Sequence, residues 1–134
     1  MTPQPQVVMP TGARADLGSL LQVLKTIDGV RALSIVADTG IPVASLGTEN
    51  MDEGMIAAMT AALLSISGRA SQEFNQGNLE MILTKATGGT TLIVDAGPHA
   101  TMVMLLDETV DLAKLFTRDF AVIDRIRTII KAIF

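Results

Sequence analysis

GMIAAMTAALLSISG, from Gly54 to Gly68, is fifteen residues without a charge, set between Glu53 and Arg69. Alanine, leucine and methionine dominate it, so it reads as helix rather than strand. It falls short of the roughly 20 apolar residues that a bilayer span needs, so no membrane insertion is expected. At helical spacing Met55, Ile56, Met59, Leu63 and Ile66, then Phe74, gather on one side, and Ala57, Ala58, Ala61, Ser65 and Gly68 on the other. A solvated face should carry Lys, Glu or Gln, and this stretch has none. The helix is therefore read as covered twice. Its bulky face lies on its own sheet, and its small face meets a second copy or a partner.

The surrounding segments give that helix a sheet to cover. A helix over about Asp16–Ile27 has the stripe Leu17, Leu20, Leu21, Leu24 and Ile27, with Gly29 as its stop. Val30–Ala37 and Pro42–Leu46 read as strands joined by the tight turn Asp38-Thr39-Gly40, with Pro42 at or near an edge. The central helix runs from about Met51 to Asn75, with Asn50 as N-cap and Glu53 as its return partner. Three strands follow at Leu79–Thr84, Thr90–Asp95 and Thr101–Leu106, turned by Gly88-Gly89 and Gly97-Pro98. The last is apolar on both faces, from Met102 to Leu106, and so is covered on both. A final helix fills Asp111–Phe134, with a break allowed near Thr117 because Asp119 falls inside the apolar stripe. The fold class is α/β, a three-layer α-β-α sandwich in the order α-β-β-α-β-β-β-α. Its five-stranded, mainly antiparallel sheet has the central helix on one face and the terminal helices on the other. Residues 1–14, with Pro3, Pro5, Pro10 and Gly12, read as a flexible leader, and 15–134 as a single domain.

Composition narrows the function. The chain is 49% hydrophobic with a mean hydropathy of +0.44, which leaves apolar surface for other chains or for a sheet covered twice. Net charge is −4, with no basic stripe, so no nucleic-acid partner is expected. Lys114, Arg118, Arg125, Arg127 and Lys131 leave residues 111–134 net positive, as a solvated helix face would be. There is no cysteine, hence no disulfide, thiolate nucleophile or zinc–thiolate site, and no signal peptide at the N-terminus. A cytoplasmic location is expected.

Chemistry-bearing patterns are scarce. His99 is the only histidine and reads as a solvated turn residue, and no G-x-S-x-G elbow presents a nucleophile. Phosphate-binding glycine motifs are missing. Asp107, Glu108 and Asp111 read as carboxylates at a helix N-terminus, and the eight methionines as core filler. The expectation is a non-enzyme with no catalytic residue, cofactor or metal.

Three stretches in order, DGVRALSIVADTGIPVAS (Asp28–Ser45), IAAMTAALLSISGRASQEF (Ile56–Phe74) and GNLEMILTKATGGTTLIVDAG (Gly77–Gly97), resemble the Roadblock / dynein light chain family. The fold is similar to that of longin and profilin-like domains. The resemblance implies a homodimer in which the strand at about Leu79–Thr84 pairs with its mate and the central helices lie side by side. It also implies a regulator or scaffold for a small Ras-like GTPase, which stimulates hydrolysis by positioning the GTPase's own residues. The interface so implied comprises Ala57, Ala58, Ala61, Ser65, Gly68, Arg69, Gln72, Leu79, Met81 and Leu83, with Arg69 the arginine of first interest. Two other readings stand beside it: an adaptor for a motility or signalling complex without GTPase contact, and a small-molecule sensor. The sensor would need a pocket with convergent polar groups.

Overall fold

The computed structural model describes residues 11–96 and 99–133. Helix α1 spans Thr11–Lys25, β1 Val30–Ala37, β2 Pro42–Leu46, α2 Glu53–Glu73, β3 Met81–Ala86, β4 Gly89–Asp95 and β5 Ala100–Leu106. The C-terminal helix is an α turn, Leu112–Lys114 (α3), then a π-helical stretch, Leu115–Asp119, then α4, Phe120–Ile133. All strand pairs are antiparallel in the order β2-β1-β5-β4-β3. Helix α2 therefore carries the chain from one edge strand to the opposite one.

The sheet is covered on both faces, as its apolar strands require. On one side Leu17, Leu20, Leu21 and Leu24 of α1, with Leu115, bury against Leu33, Ile35, Leu92, Met102 and Met104. On the other, Ala57 packs with Val36, Ile93 and Val103, flanked by Ile56, Leu63 and Leu64. At the strand ends glycine is required by geometry. A Cβ on Gly89 would stand 2.4 Å from the Leu106 carbonyl, and Gly29 combines a φ of +95° with a Cβ position 2.6 Å from the Val110 backbone.

Several boundaries differ from expectation for local reasons. Helix α1 starts at Thr11, inside the segment read as leader; residues 1–10 lie outside the described chain. Asp52, not Asn50, caps α2, its carboxylate accepting the Met55 amide at 3.0 Å. Glu53 turns instead to the Thr48 hydroxyl. Strand β3 begins at Met81 rather than Leu79, because Asn75 and Gly77 adopt positive φ beyond the helix end and lengthen the loop. The π-helical stretch encloses Thr117, where the expected break lay; a π turn inserts a residue and resets which positions face the core. The Gly97-Pro98 turn falls outside the described residues.

Candidate functional site: the outer face of the crossover helix and the β3 edge

The main correction concerns how α2 sits. It is rolled by roughly a quarter turn from the expected orientation, so that neither the bulky nor the small side alone meets the sheet. Ala57, expected at an intermolecular seam, is 0% exposed against the chain's own strands, with Thr60 buried beside it. Met55, Met59 and Ile66, expected in the core, are 63%, 60% and 71% exposed, and Phe74 beyond them is exposed too. Ile56 and Leu63 are the bulky residues that do reach the sheet. Both sides of the helix are apolar, so periodicity gave two equivalent stripes and no means of ranking them. Among the described methionines Met55 and Met59 are thus surface residues, whereas Met102 and Met104 are core.

The outer face of α2 is consequently an apolar strip of Met55, Met59 and Ile66, with the exposed Ala58 and Ala62 beside it. Met side chains are flexible and polarizable, and an exposed row of them is suited to contact with another surface. Beyond Glu73 a loop over 74–80 leads into β3, and the Gln72 side-chain amide donates to Asn78 Oδ1 at 3.1 Å, bracing that loop. Among the described residues β3 pairs only with β4, so no described strand covers its other backbone edge. Its side chains alternate: Met81 joins the α1 side of the core, Ile82 the α2 side. By that alternation Leu83, also exposed, lies on the sheet face opposite α2.

The remaining expected interface residues separate into two groups. Ala61, Ser65, Gly68 and Leu79 come together around a cleft of about 420 Å³ between the C-terminal half of α2 and one end of the sheet. Small side chains here leave space above Val36 and Thr101. A Cβ placed on Gly68 would meet nothing within 4 Å. Arg69 and Gln72 lie exposed along the last turns of α2. The cleft itself had no signature in the sequence, since its walls come from four separate elements.

Electrostatics at the surface are local. His99 Nδ1 and Asp38 Oδ2 stand 3.1 Å apart, joining the β1–β2 turn to the start of β5. Asp107 accepts the Thr109 hydroxyl and, at 2.8 Å, the Thr109 amide, and these bonds hold its carboxyl below the usual carboxylate value. Asp111 accepts the Lys114 amide at 3.0 Å and caps α3. Among the described residues no three His, Cys, Asp or Glu side chains are placed to hold a metal ion, and no helix is long and apolar enough to cross a membrane.

Five antiparallel strands between one crossover helix and a terminal helical layer define a three-layer α/β domain. The chain belongs to the Roadblock/LC7 domain family, whose model matches residues 17–106. A relative in Methanocaldococcus jannaschii, the uncharacterized protein MJ0714, is 34% identical over 93 residues, covering 69% of this chain and 77% of that protein. Among solved structures, Myxococcus xanthus MglB superposes with a TM-score of 0.79 at 16% identity, over 95% of this chain and 93% of that one. A structure described as MglB with tetrameric arrangement superposes with a TM-score of 0.83 at 15% identity, over 98% and 100%. At these identities the structural matches establish the fold.

Proposed function

We propose that this chain acts as a homodimeric, non-enzymatic regulator or scaffold in the cytoplasm, binding a small Ras-like GTPase and promoting its GTP hydrolysis. The observation that carries the reading is the exposed strip Met55, Met59 and Ile66 on α2, followed after the loop 74–80 by β3, an edge strand among the described residues. An edge strand invites pairing, and an apolar strip of this kind on a small domain marks a contact surface. In the dimer the β3 strands meet across the two-fold and the outer faces of the two α2 helices come together, with Arg69 and Gln72 at the rim. This seam differs from the small-residue seam first expected, because Ala57 is occupied by the chain's own core. In this reading residues 15–134 form one domain, with α1 entering four residues earlier, at Thr11.

Family membership and the fold shared with MglB support the regulator role. The match to an MglB arranged as a tetramer supports assembly beyond one chain. Regulation here needs no catalytic group of its own: the dimer offers a rigid platform that orders residues of the GTPase.

The test mixes the purified protein with GTPases encoded beside it and measures complex formation and single-turnover GTP hydrolysis. Complex formation with faster hydrolysis is expected. A complex without acceleration leaves the scaffold role alone, and no complex with any of them removes the GTPase from the reading.

A further inference from the structure

Met55, Met59, Ala62 and Ile66 follow one another at helical spacing along the outer face of α2, and all four are exposed. The thioethers of Met55 and Met59 lie open, whereas those of Met102 and Met104 in β5 are sealed in the core. The chain therefore carries one pair of methionines within reach of a dissolved oxidant and another pair shielded from it. It has no cysteine, so no thiolate competes for that oxidant.

What an added oxygen would meet is set by the side chains one helical turn away. For Met59 these are Met55, Ile56, Ala62 and Leu63, and for Met55 they are Met51, Asp52, Ala58 and Met59. None of them donates a hydrogen bond, and the Asp52 carboxylate is itself an acceptor, bonded to the Met55 amide. Conversion of a thioether to a sulfoxide makes the side chain polar. In water the new oxygen is solvated. Beneath another apolar surface it has no donor on this strip and is costly to cover. Oxidation thus spares the open subunit and penalises only a state in which the strip is covered.

We propose that Met55 and Met59 form a reversible oxidation site that controls self-association of the chain, with a peroxide as the oxidant. A sulfur lone pair attacks one peroxide oxygen, and the S–O bond forms as the O–O bond breaks. The departing hydroxide takes the proton from the transferred oxygen and becomes water. The thioether is oxidised by two electrons to the sulfoxide and the peroxide is reduced. Methionine sulfoxide reductases, one for each sulfoxide epimer, reverse the step. The inference rests on the seam proposed above, in which the outer faces of two α2 helices meet. That seam covers both sulfurs, so oxygen transfer takes place on the separated subunit and holds it apart.

The test treats the full chain with hydrogen peroxide, locates sulfoxides by peptide mass mapping and reads assembly by sedimentation. Met55 and Met59 should be oxidised before Met102 and Met104, and more slowly as the protein concentration rises. The oxidised chain should keep its circular dichroism spectrum and associate at least about tenfold more weakly, the penalty of covering an unpartnered polar group. Treatment with both reductases should restore assembly. Met55→Leu/Met59→Leu should assemble normally and ignore peroxide, and Met55→Gln/Met59→Gln should assemble weakly without it. Equal assembly of the oxidised and untreated chains, or peroxide-sensitive assembly of the leucine variant, overturns the proposal. Met59→Glu separates this failure from failure of the seam. A dimer weakened by Met59→Glu but not by oxidation keeps the seam and removes the oxidation site, whereas a dimer indifferent to both removes both.

Discussion

Ala57 and Met59 lie two residues apart on α2 and at opposite extremes of burial, Ala57 sealed against Val36, Ile93 and Val103 while Met59 points away from the sheet. One charge placed at each position separates folding from association. Ala57→Glu should prevent folding, because a carboxylate with no partner would be forced into the core. Met59→Glu should leave the circular dichroism spectrum and thermal midpoint of the subunit almost unchanged and weaken the proposed dimer at least about tenfold. Sedimentation of Met59→Glu as an unaltered dimer would displace the seam from this face.

Glycines at two sites should respond with opposite sign to the same substitution. Gly68 is inside α2 with open space where a Cβ would go, so Gly68→Ala should stabilise by about 0.5–1 kcal/mol through helix propensity. Gly29 has a φ of +95° and a Cβ position 2.6 Å from Val110. Gly29→Ala should cost on the order of 2 kcal/mol or more, as expected of strain at a special backbone position. Denaturant melts of the two variants give both signs directly.

Acid should remove one specific contribution. The side-chain bond from Thr109, then its backbone bond, lower the Asp107 pKa in the folded chain, with the Arg31 charge adding to this and desolvation opposing it. A carboxylate whose folded pKa is depressed contributes stability above its unfolded value, near about 3.9, and loses it as pH falls through the folded value. Asp107→Asn should therefore flatten the stability–pH curve below about pH 4 and leave its shape at neutral pH unchanged. An identical acid limb in wild type and Asp107→Asn would show that the bonds to Thr109 persist in the unfolded chain.

The start of α2 depends on a single carboxylate. Asp52 accepts the Met55 amide at 3.0 Å, so Asp52→Ala should destabilise the chain by about 1 kcal/mol. Asn50→Ala should be neutral by the same urea melt, since Asn50 lies two residues before the cap and is exposed.

Strand positions and sheet layering were legible because the cues are local. The run Met102–Leu106 has no wet side, Asp38-Thr39-Gly40 closes a tight turn around a Gly40 φ of +83°, and the Leu17–Leu24 stripe has helical spacing. Cap choice was harder to read: Asn50 and Asp52 are both competent, and only the path of the chain through Thr48 and Glu53 selects between them. The apolar exposure of α2 was partly legible. The absence of charge from Gly54 to Gly68 marks a helix with no ordinary solvated face.

The sequence by itself determined the order of elements, the two-sided covering of the sheet and the apolar character of α2 all round, since each follows from side-chain chemistry at fixed helical or strand spacing. Tertiary structure alone decided which side of α2 is inside, and it brought Asp38, Thr60 and Asp95 around one cleft. The physical reason is that burial is settled by fit. Ala57 and Thr60 allow α2 to lie on Val36, Ile93 and Val103 with Ile56 and Leu63 as flanks, and Met55 and Met59, which could have filled a looser core, are left exposed.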